Sequence, residues 1–226
     1  MLMGMKLVVG HRNYSSWSLR AWLYMRESGL EFEETFVELH VGHWRDALAR
    51  YTPAGRAPVL IDDGITVWDS MAIMSYLLEH YPGAVGWPEQ RAARAHAQSI
   101  AAEMHSGFLD VRSTLPMNIR RRQEATLSDA CCQQIQRIHQ IWQDCRERYG
   151  DRGQWLFGDF TIADVMYVPV VLRFQSYGIE TRGRAGEFVD ATLGLSSVQA
   201  WIGDAEQEGL PLDFVDELRQ GDMQLG

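Results

Sequence analysis

The sequence predicts two domains of different class: an α+β domain over residues 1–82, then an all-α helical bundle over 89–226, joined by a linker at 83–88. Three observations predict it. The short apolar run Lys6-Leu7-Val8-Val9 is followed by a polar turn and then by Leu19 to Met25, a run of good helix formers. Two apolar runs flank Asp62-Asp63-Gly64, the signature of a β-hairpin. From Glu89 onward the apolar residues recur at helical spacing, and no strand pattern of comparable strength returns.

In chain order, the first strand leads into His11-Arg12-Asn13-Tyr14-Ser15-Ser16-Trp17-Ser18-Leu19-Arg20, a polar turn with three serines at the start of a helix. Free backbone N–H groups and the positive end of the helix dipole meet there, so the place suits a thiolate or another anion. Plain N-capping by Ser15 or Ser16 is the competing reading. Ser28-Gly29 reads as the end of that helix. Glu31 to Leu39 alternates imperfectly and reads as a half-buried strand. His43 to Tyr51 is a turn or two of helix, broken by Thr52-Pro53-Ala54-Gly55. Arg56 to Ile61 and Ile65 to Trp68 form the hairpin, with Pro58 at the start of its first strand, where a missing N–H is tolerated. Asp69-Ser70 then opens a helix whose apolar positions are Ile73, Met74, Leu77, Leu78 and Tyr81. This second helix N-terminus carries a carboxylate and a hydroxyl.

Past the Pro- and Gly-rich stretch from His80 to Pro88, a first helical stripe runs through Ala93, Ala97, Ile100, Met104, Phe108, Val111 and Leu115, and Pro116 stops it. A second runs from Leu127 through Cys131, Ile135, Ile138, Trp142 and Cys145 to Tyr149. After the loop Gly150-Asp151-Arg152-Gly153, Thr161 and Asp164 make a capping box that opens Val165 to Phe174, with Pro169 a candidate kink. A last stripe holds Val198, Trp201, Ile202 and Ala205.

Composition excludes several function classes. A net charge of -9 argues against a nucleic-acid partner. The one basic run, Arg120-Arg121-Arg122, reads as a solvated helix end. No apolar run approaches a membrane span and no signal-peptide layout is visible, so the expectation is a soluble, cytoplasmic protein with no membrane partner. Cys131, Cys132 and Cys145 are odd in number and share one helical pattern; they fit buried thiols of a reducing compartment, and neither a disulfide framework nor a metal site.

Four segments together resemble the cytosolic glutathione transferases, of a bacterial, serine-type kind. Ser15-Ser16-Trp17-Ser18-Leu19-Arg20 is similar to the Ser-Ser-Cys-x-x-Arg motif of the zeta class, with Trp17 at the Cys position. Ala57-Pro58-Val59-Leu60 resembles the family's cis-proline segment, Asp69-Ser70 its acid-Ser pair, and Thr161-Ile162-Ala163-Asp164 its second-domain capping box. The resemblance implies a thioredoxin-like first domain, glutathione as co-substrate without a metal, a homodimer, and attack of the thiol on a small electrophile. Conjugation, substitution and cis-trans isomerisation are all open; the alternative is a glutathione-transferase-like binding or regulatory protein without turnover.

The resemblance also implies roles. Ser15 is the first choice for the hydroxyl that activates the thiol, with Ser16 as the alternative and Tyr14 a third candidate whose ring more naturally packs. Ala57 offers its backbone to the cysteinyl part of glutathione. Ser70 takes the γ-glutamyl carboxylate and Asp69 the ammonium; His43 and Arg56 are candidates for the glycyl carboxylate. Met104, His105, Phe108 and Arg112 would line the second-substrate pocket, although Met104 and Phe108 also fit a core. Arg112 on a mostly apolar helix needs an anionic partner or water; an acidic substrate is one candidate, and Asp110 or a neighbouring carboxylate another. Two departures, Trp17 for Cys and Trp22 where the zeta class has a second Arg, weigh against maleylacetoacetate isomerisation. Ser15-x-x-Ser18 stands where redox relatives carry Cys-x-x-Cys, so dithiol chemistry is unavailable there.

Overall fold

A computed structural model describes residues 4–216. Its first part is β1 (Lys6–Val9), α1 (Ser16–Glu27), β2 (Glu33–Phe36), α2 (Trp44–Ala49), β3 (Val59–Asp62), β4 (Ile65–Trp68) and α3 (Ser70–His80). The strands form one mixed sheet in the order β2-β1-β3-β4. β1 and β2 are parallel, joined through the α1 crossover, while β1–β3 and β3–β4 are antiparallel. Asp63 and Gly64 both have positive φ, +45° and +85°, which closes the tight turn that an Asp-Gly pair favours.

Side chains of the sheet divide by period two. Leu7, Val9 and Leu60 face α1, α3 and the helical domain, in one core continuous through both halves. Val8 and Val59 face the other way and pack with Val37 and Leu48 in a small cluster under α2.

The helical part comprises α4 (Arg91–Ser106), α5 (Leu109–Thr114), α6 (Asp129–Tyr149), α7 (Ile162–Tyr177), α8 (Gly183–Gly194), α9 (Ser196–Gln207) and α10 (Asp213–Asp216), with a short 3-10 turn at Gly150–Arg152. α7 is the axis of the bundle. It is buried on nearly every side, touches α4, α8 and α1, and runs through Pro169 without ending. At its N-terminus the capping box is closed: the Asp164 carboxylate accepts from the Thr161 N–H (2.8 Å), the Thr161 hydroxyl (2.7 Å) and the Leu156 N–H (2.9 Å). Burial pushes the Asp164 carboxyl up to about 6, against the pull of those donors.

Three readings are corrected. The stripe from Ala93 to Leu115 is two helices, not one. Gly107 leaves the helix, Phe108 takes a left-handed conformation (φ +59°), and a Cβ at Gly107 would lie 2.7 Å from the Glu103 carbonyl. The stripe reads through the break because Met104, Phe108, Val111 and Leu115 are all buried regardless. Arg120–Arg122 is not a solvated helix end. It lies between α5 and α6, where Arg120 donates to the Tyr14 hydroxyl (3.0 Å) and the Leu210 carbonyl (2.9 Å), and Arg121 to the Asp216 carbonyl (2.6 Å). Finally, α8 carries little apolar signal, its buried members being Ala185, Phe188 and Thr192, and sequence patterning passed over it. Cys131 and Cys145 are buried free thiols, and desolvation raises both, Cys145 to about 12; Cys132 is half-buried.

Candidate active site

The sheet register gathers the sequence motifs. Val8 at the C-terminal end of β1 pairs with Val59 at the start of β3, and Val59 pairs with Trp68 at the end of β4. The turn after β1, the residues before β3 and the residues after β4 therefore leave the same end of three neighbouring strands, each about 4.8 Å from the next. These are Ser15, the Ala57-Pro58 bond and Asp69-Ser70. The Ala57-Pro58 bond is cis. β2 ends level with Val9, so the segment leading to His43 leaves that end as well.

Ser15 is the N-cap of α1. Its Oγ accepts the Ser18 N–H (3.2 Å) and donates to the Ser18 Oγ (2.8 Å), which also accepts the Gly10 N–H (3.0 Å). Ser15 is half-exposed, whereas Ser16 is buried and faces the other domain, with its Oγ 3.4 Å from the Arg173 Nη2. The Tyr14 hydroxyl is committed elsewhere: it donates to Asp216 (2.6 Å) and accepts from Arg120 and the Leu212 N–H. Burial, then the Asp216 hydrogen bond, raises its pKa. Of the three hydroxyl candidates, Ser15 is the one at a helix N-terminus with an open side.

Asp69 caps α3 from a positive φ of +74°, a conformation rare outside glycine. Its Oδ1 accepts the N–H groups of Met71 (2.8 Å) and Ala72 (3.3 Å). Its Oδ2 faces the His105 Nε2 at 3.4 Å. Ser70, at the first turn, is fully buried, and its Oγ has no hydrogen-bond partner among the described residues. An orphaned buried hydroxyl at a helix N-terminus is a place for a ligand's acceptor or donor. His43 is exposed and lies 3.6 Å from Asp46; Arg56 is exposed and Ala57 half-buried.

The expected second-substrate lining does not assemble as a pocket wall. Met104 and Phe108 are core, 1% and 7% exposed. Arg112 turns back onto the C-terminus of α4, donating to the carbonyls of Gly107 (2.9 Å), Met104 and His105. Its partner is thus neither Asp110, which takes the Gln134 amide, nor any other carboxylate among the described residues. His105 and Arg112 are the two of the four that reach the first domain, both at Trp17.

Sequence reasoning missed what Trp17 does. The Arg20 and Arg112 guanidiniums lie over its ring, at 4.8 and 5.1 Å from the centroid, and the His105 ring meets it edge-on at 5.1 Å. Trp22, the other departure, donates its indole N–H to Glu34 (2.6 Å) and leans on Trp201. Arg20 stands one turn along α1 from Trp17, within reach of a local reading; the other contacts carry no local signal, because their partners lie in the other domain or on another strand. Ser18 was within reach: it sits one turn from an N-cap serine.

Two surface hollows, one of about 300 Å³ lined by His139, Gln143, Asp144 and Thr181, the other lined by Arg146, Glu187 and Leu195, belong to the helical domain and share no residue with this site. Among the described residues no His, Cys, Asp and Glu cluster is placed to hold a metal, and no helix is long and apolar enough to cross a membrane.

Comparison with known proteins finds likenesses to glutathione transferases in sequence and in fold. The family model "Glutathione S-transferase, N-terminal domain" matches residues 14–80. The chain is 29% identical over 181 residues to a maleylacetoacetate isomerase of Pseudomonas aeruginosa, a match covering 77% of this chain and 84% of that protein. It is 34% identical over 89 residues to mouse glutathione S-transferase theta-1, a match covering 38% of this chain and 37% of that protein. Among solved structures, a glutathione transferase homologue from Burkholderia with bound glutathione superposes with a TM-score of 0.68 at 23% identity, covering 90% of this chain and 99% of that one. Yeast Ure2p in complex with glutathione superposes with a TM-score of 0.67 at 18% identity, covering 90% and 95% of the two chains.

Proposed function

We propose, from the match of residues 14–80 to the glutathione S-transferase N-terminal-domain model, that the protein is a glutathione transferase that uses Ser15 to favour the thiolate of bound glutathione. The observation that carries the reading is the convergence of Ser15, Ala57-Pro58 and Asp69-Ser70 at one end of three adjacent strands. Two of these are helix N-termini, and glutathione is anionic at both places to be held: the sulfur and the γ-glutamyl carboxylate.

In this reading the tripeptide lies across the strand ends. The Ser70 hydroxyl and its own N–H take the γ-glutamyl carboxylate, Asp69 Oδ2 its ammonium, and the Ala57 backbone the cysteinyl amide. His43 and Arg56, both exposed, have the reach for the glycyl carboxylate. The sulfur then sits at the N-terminus of α1. The thiol proton leaves to solvent and the Ser15 O–H donates to the sulfur anion. The Ser15–Ser18 pair supplies the means. Rotating both hydroxyls reverses their hydrogen bond, so that Ser18 donates to Ser15 and the Ser15 proton turns to the ligand. The thiolate attacks an electrophilic carbon, forming the S–C bond. In substitution a halide leaves with the electron pair; in addition the carbanion takes a proton from water. The active form is a homodimer, and Trp68, exposed at the end of edge strand β4 next to α3, is apolar surface offered to a partner.

The competing reading is a binder without turnover. Its support is that the Ser15 hydroxyl is already engaged by Ser18 and that the fold is shared with the nitrogen-regulation fragment of Ure2p. Retention on immobilised glutathione followed by turnover of an aryl chloride separates the two. Retention with turnover is the transferase, retention without turnover across aryl halide, epoxide, peroxide and maleyl substrates is the binder, and no retention removes both.

A further inference from the structure

Three arginines meet where the domains join, on α1, α5 and α7, and all are buried: Arg20 at 0%, Arg173 at 5% and Arg112 at 9% exposure. None has a carboxylate partner among the described residues. Carbonyl oxygens satisfy part of each guanidinium. Arg20 Nε donates to Met166 (3.1 Å), and Arg173 to Leu115 (2.8 Å) and Pro169 (3.1 Å). Arg112 holds the end of α4. Both terminal nitrogens of Arg20, however, are buried with no hydrogen-bond partner among the described residues.

A buried cation left without a counter-charge is strongly unfavourable, and here three of one sign share a small volume. Burial lowers the pKa of all three. Arg112 and Arg173 push Arg20 down further, and Arg112 pushes Arg173 in the same direction. The carboxylate that acts on Arg20 is Asp69, whose two oxygens are already taken by α3 N–H groups and His105. The Trp17 ring face offers its quadrupole to Arg20 and Arg112, which offsets only a fraction of two charges. Ser16 adds a hydroxyl beside Arg173.

We propose that Arg20, Arg112, Arg173 and Ser16 bind one small anion, a halide or a carboxylate group, at the junction of the two domains beside Trp17. The orphaned fork of Arg20 supplies two parallel N–H donors, the geometry that suits an anion. The near-complete burial of the donors limits the ligand's bound part to the size of a chloride or a carboxylate. Such an anion joins α1 to α5 and α7, and so fixes how the helical half stands over the Ser15 end of the sheet.

The test uses the full chain exchanged into sodium gluconate, whose bulky anion does not fit. Thermal unfolding is then followed in chloride, bromide and acetate at equal ionic strength. At about a hundredfold excess over its dissociation constant, a bound anion raises Tm by roughly 5–10 °C for a chain of this size. Arg20→Met and Arg173→Gln lose the dependence. Should Arg20→Met fail to fold, Arg173→Gln and Arg112→Gln carry the test. Bromide-soaked crystals show an anomalous peak in hydrogen-bonding contact with the Arg20 terminal nitrogens. Displacement of that peak by 4-chloro-3-nitrobenzoate identifies the anion as the carboxylate of a larger ligand; displacement by acetate alone identifies an enclosed site for small anions. Equal Tm in all four salts, with no bromide peak at Arg20, overturns the proposal and leaves water as the partner of the guanidiniums.

Discussion

Replacing Ser15 by alanine separates the capping role seen in the structure from the role proposed for the same hydroxyl. As N-cap it accepts the Ser18 N–H at 3.2 Å, and losing a cap costs about 1 kcal/mol of stability. As proposed donor to the sulfur it makes one charge-assisted hydrogen bond, worth about 1.5–3 kcal/mol in favour of the thiolate. That corresponds to a fall of roughly ten- to a hundredfold in the rate of thiol addition. The contacts at Ala57, Asp69 and Ser70 are untouched, so glutathione affinity falls far less than the rate. The assay is the ultraviolet difference band of the bound thiolate near neutral pH, with turnover of 1-chloro-2,4-dinitrobenzene and calorimetric binding of glutathione on the same protein. Ser16→Ala is the control, since Ser16 is buried against Arg173. Ser18→Ala is the second: it strands the buried Gly10 N–H, costs about 1–3 kcal/mol in stability, and leaves Ser15 free to meet the sulfur. If Ser15→Ala keeps the thiolate band while Ser16→Ala abolishes it, the assignment is wrong by one residue. If neither variant changes the band, the backbone of α1 does the work or there is no catalysis.

Three further outcomes follow from the same contacts. Ser70→Ala removes a hydroxyl that has no protein partner, so it weakens glutathione binding by about tenfold with little change in the urea midpoint; unchanged affinity by calorimetry removes Ser70 from the site. Asp164→Ala strands the N–H groups of Leu156 and Thr161 and costs roughly 3 kcal/mol or more, while Thr161→Ala costs about 1; equal denaturation midpoints for the two would show that the carboxylate is not the hub. Trp68→Asp on the exposed edge strand gives a monomer by sedimentation where the parent is a dimer, and a parent that is monomeric at micromolar concentration ends the dimer reading.

What could be read in advance was local. The Asp-Gly hairpin, the Ser15 and Asp69 caps and the Thr161/Asp164 box each lie within a few residues, where backbone geometry dictates residue type. The break at Gly107-Phe108 was missed because its flanks are buried on both sides, so an apolar stripe continues across a change of direction. The roles of Arg112 and the Arg120 run were misread for another reason. A cation on an apolar helix suggests an anion, yet helix C-termini and loop carbonyls serve as well, and which one is met depends on distant chain. Of the contacts of Trp17 only the one with Arg20, a turn away on α1, is local; those with Arg112 and His105, and that of His105 with Asp69, are set by how the two halves pack.

That packing explains why the candidate site belongs to both halves. Gly107 ends α4 early, and the turn at Phe108 brings Arg112 back over the last carbonyls of α4. With that end held, His105, one residue short of it, stands against Asp69 and the edge of Trp17. Asp69 is the N-cap of α3 and Trp17 lies in the first turn of α1, so one residue of the helical half touches both helix N-termini where glutathione is proposed to sit. A carboxylate held on one side by two backbone N–H groups and on the other by an imidazole keeps its position without a ligand, and pre-set groups lose less entropy on binding. The Trp at the position of the zeta-class Cys therefore exchanges a reactive group for a structural one. It gives the two guanidiniums and His105 a common surface, and so ties the first turn of α1 to the helical half.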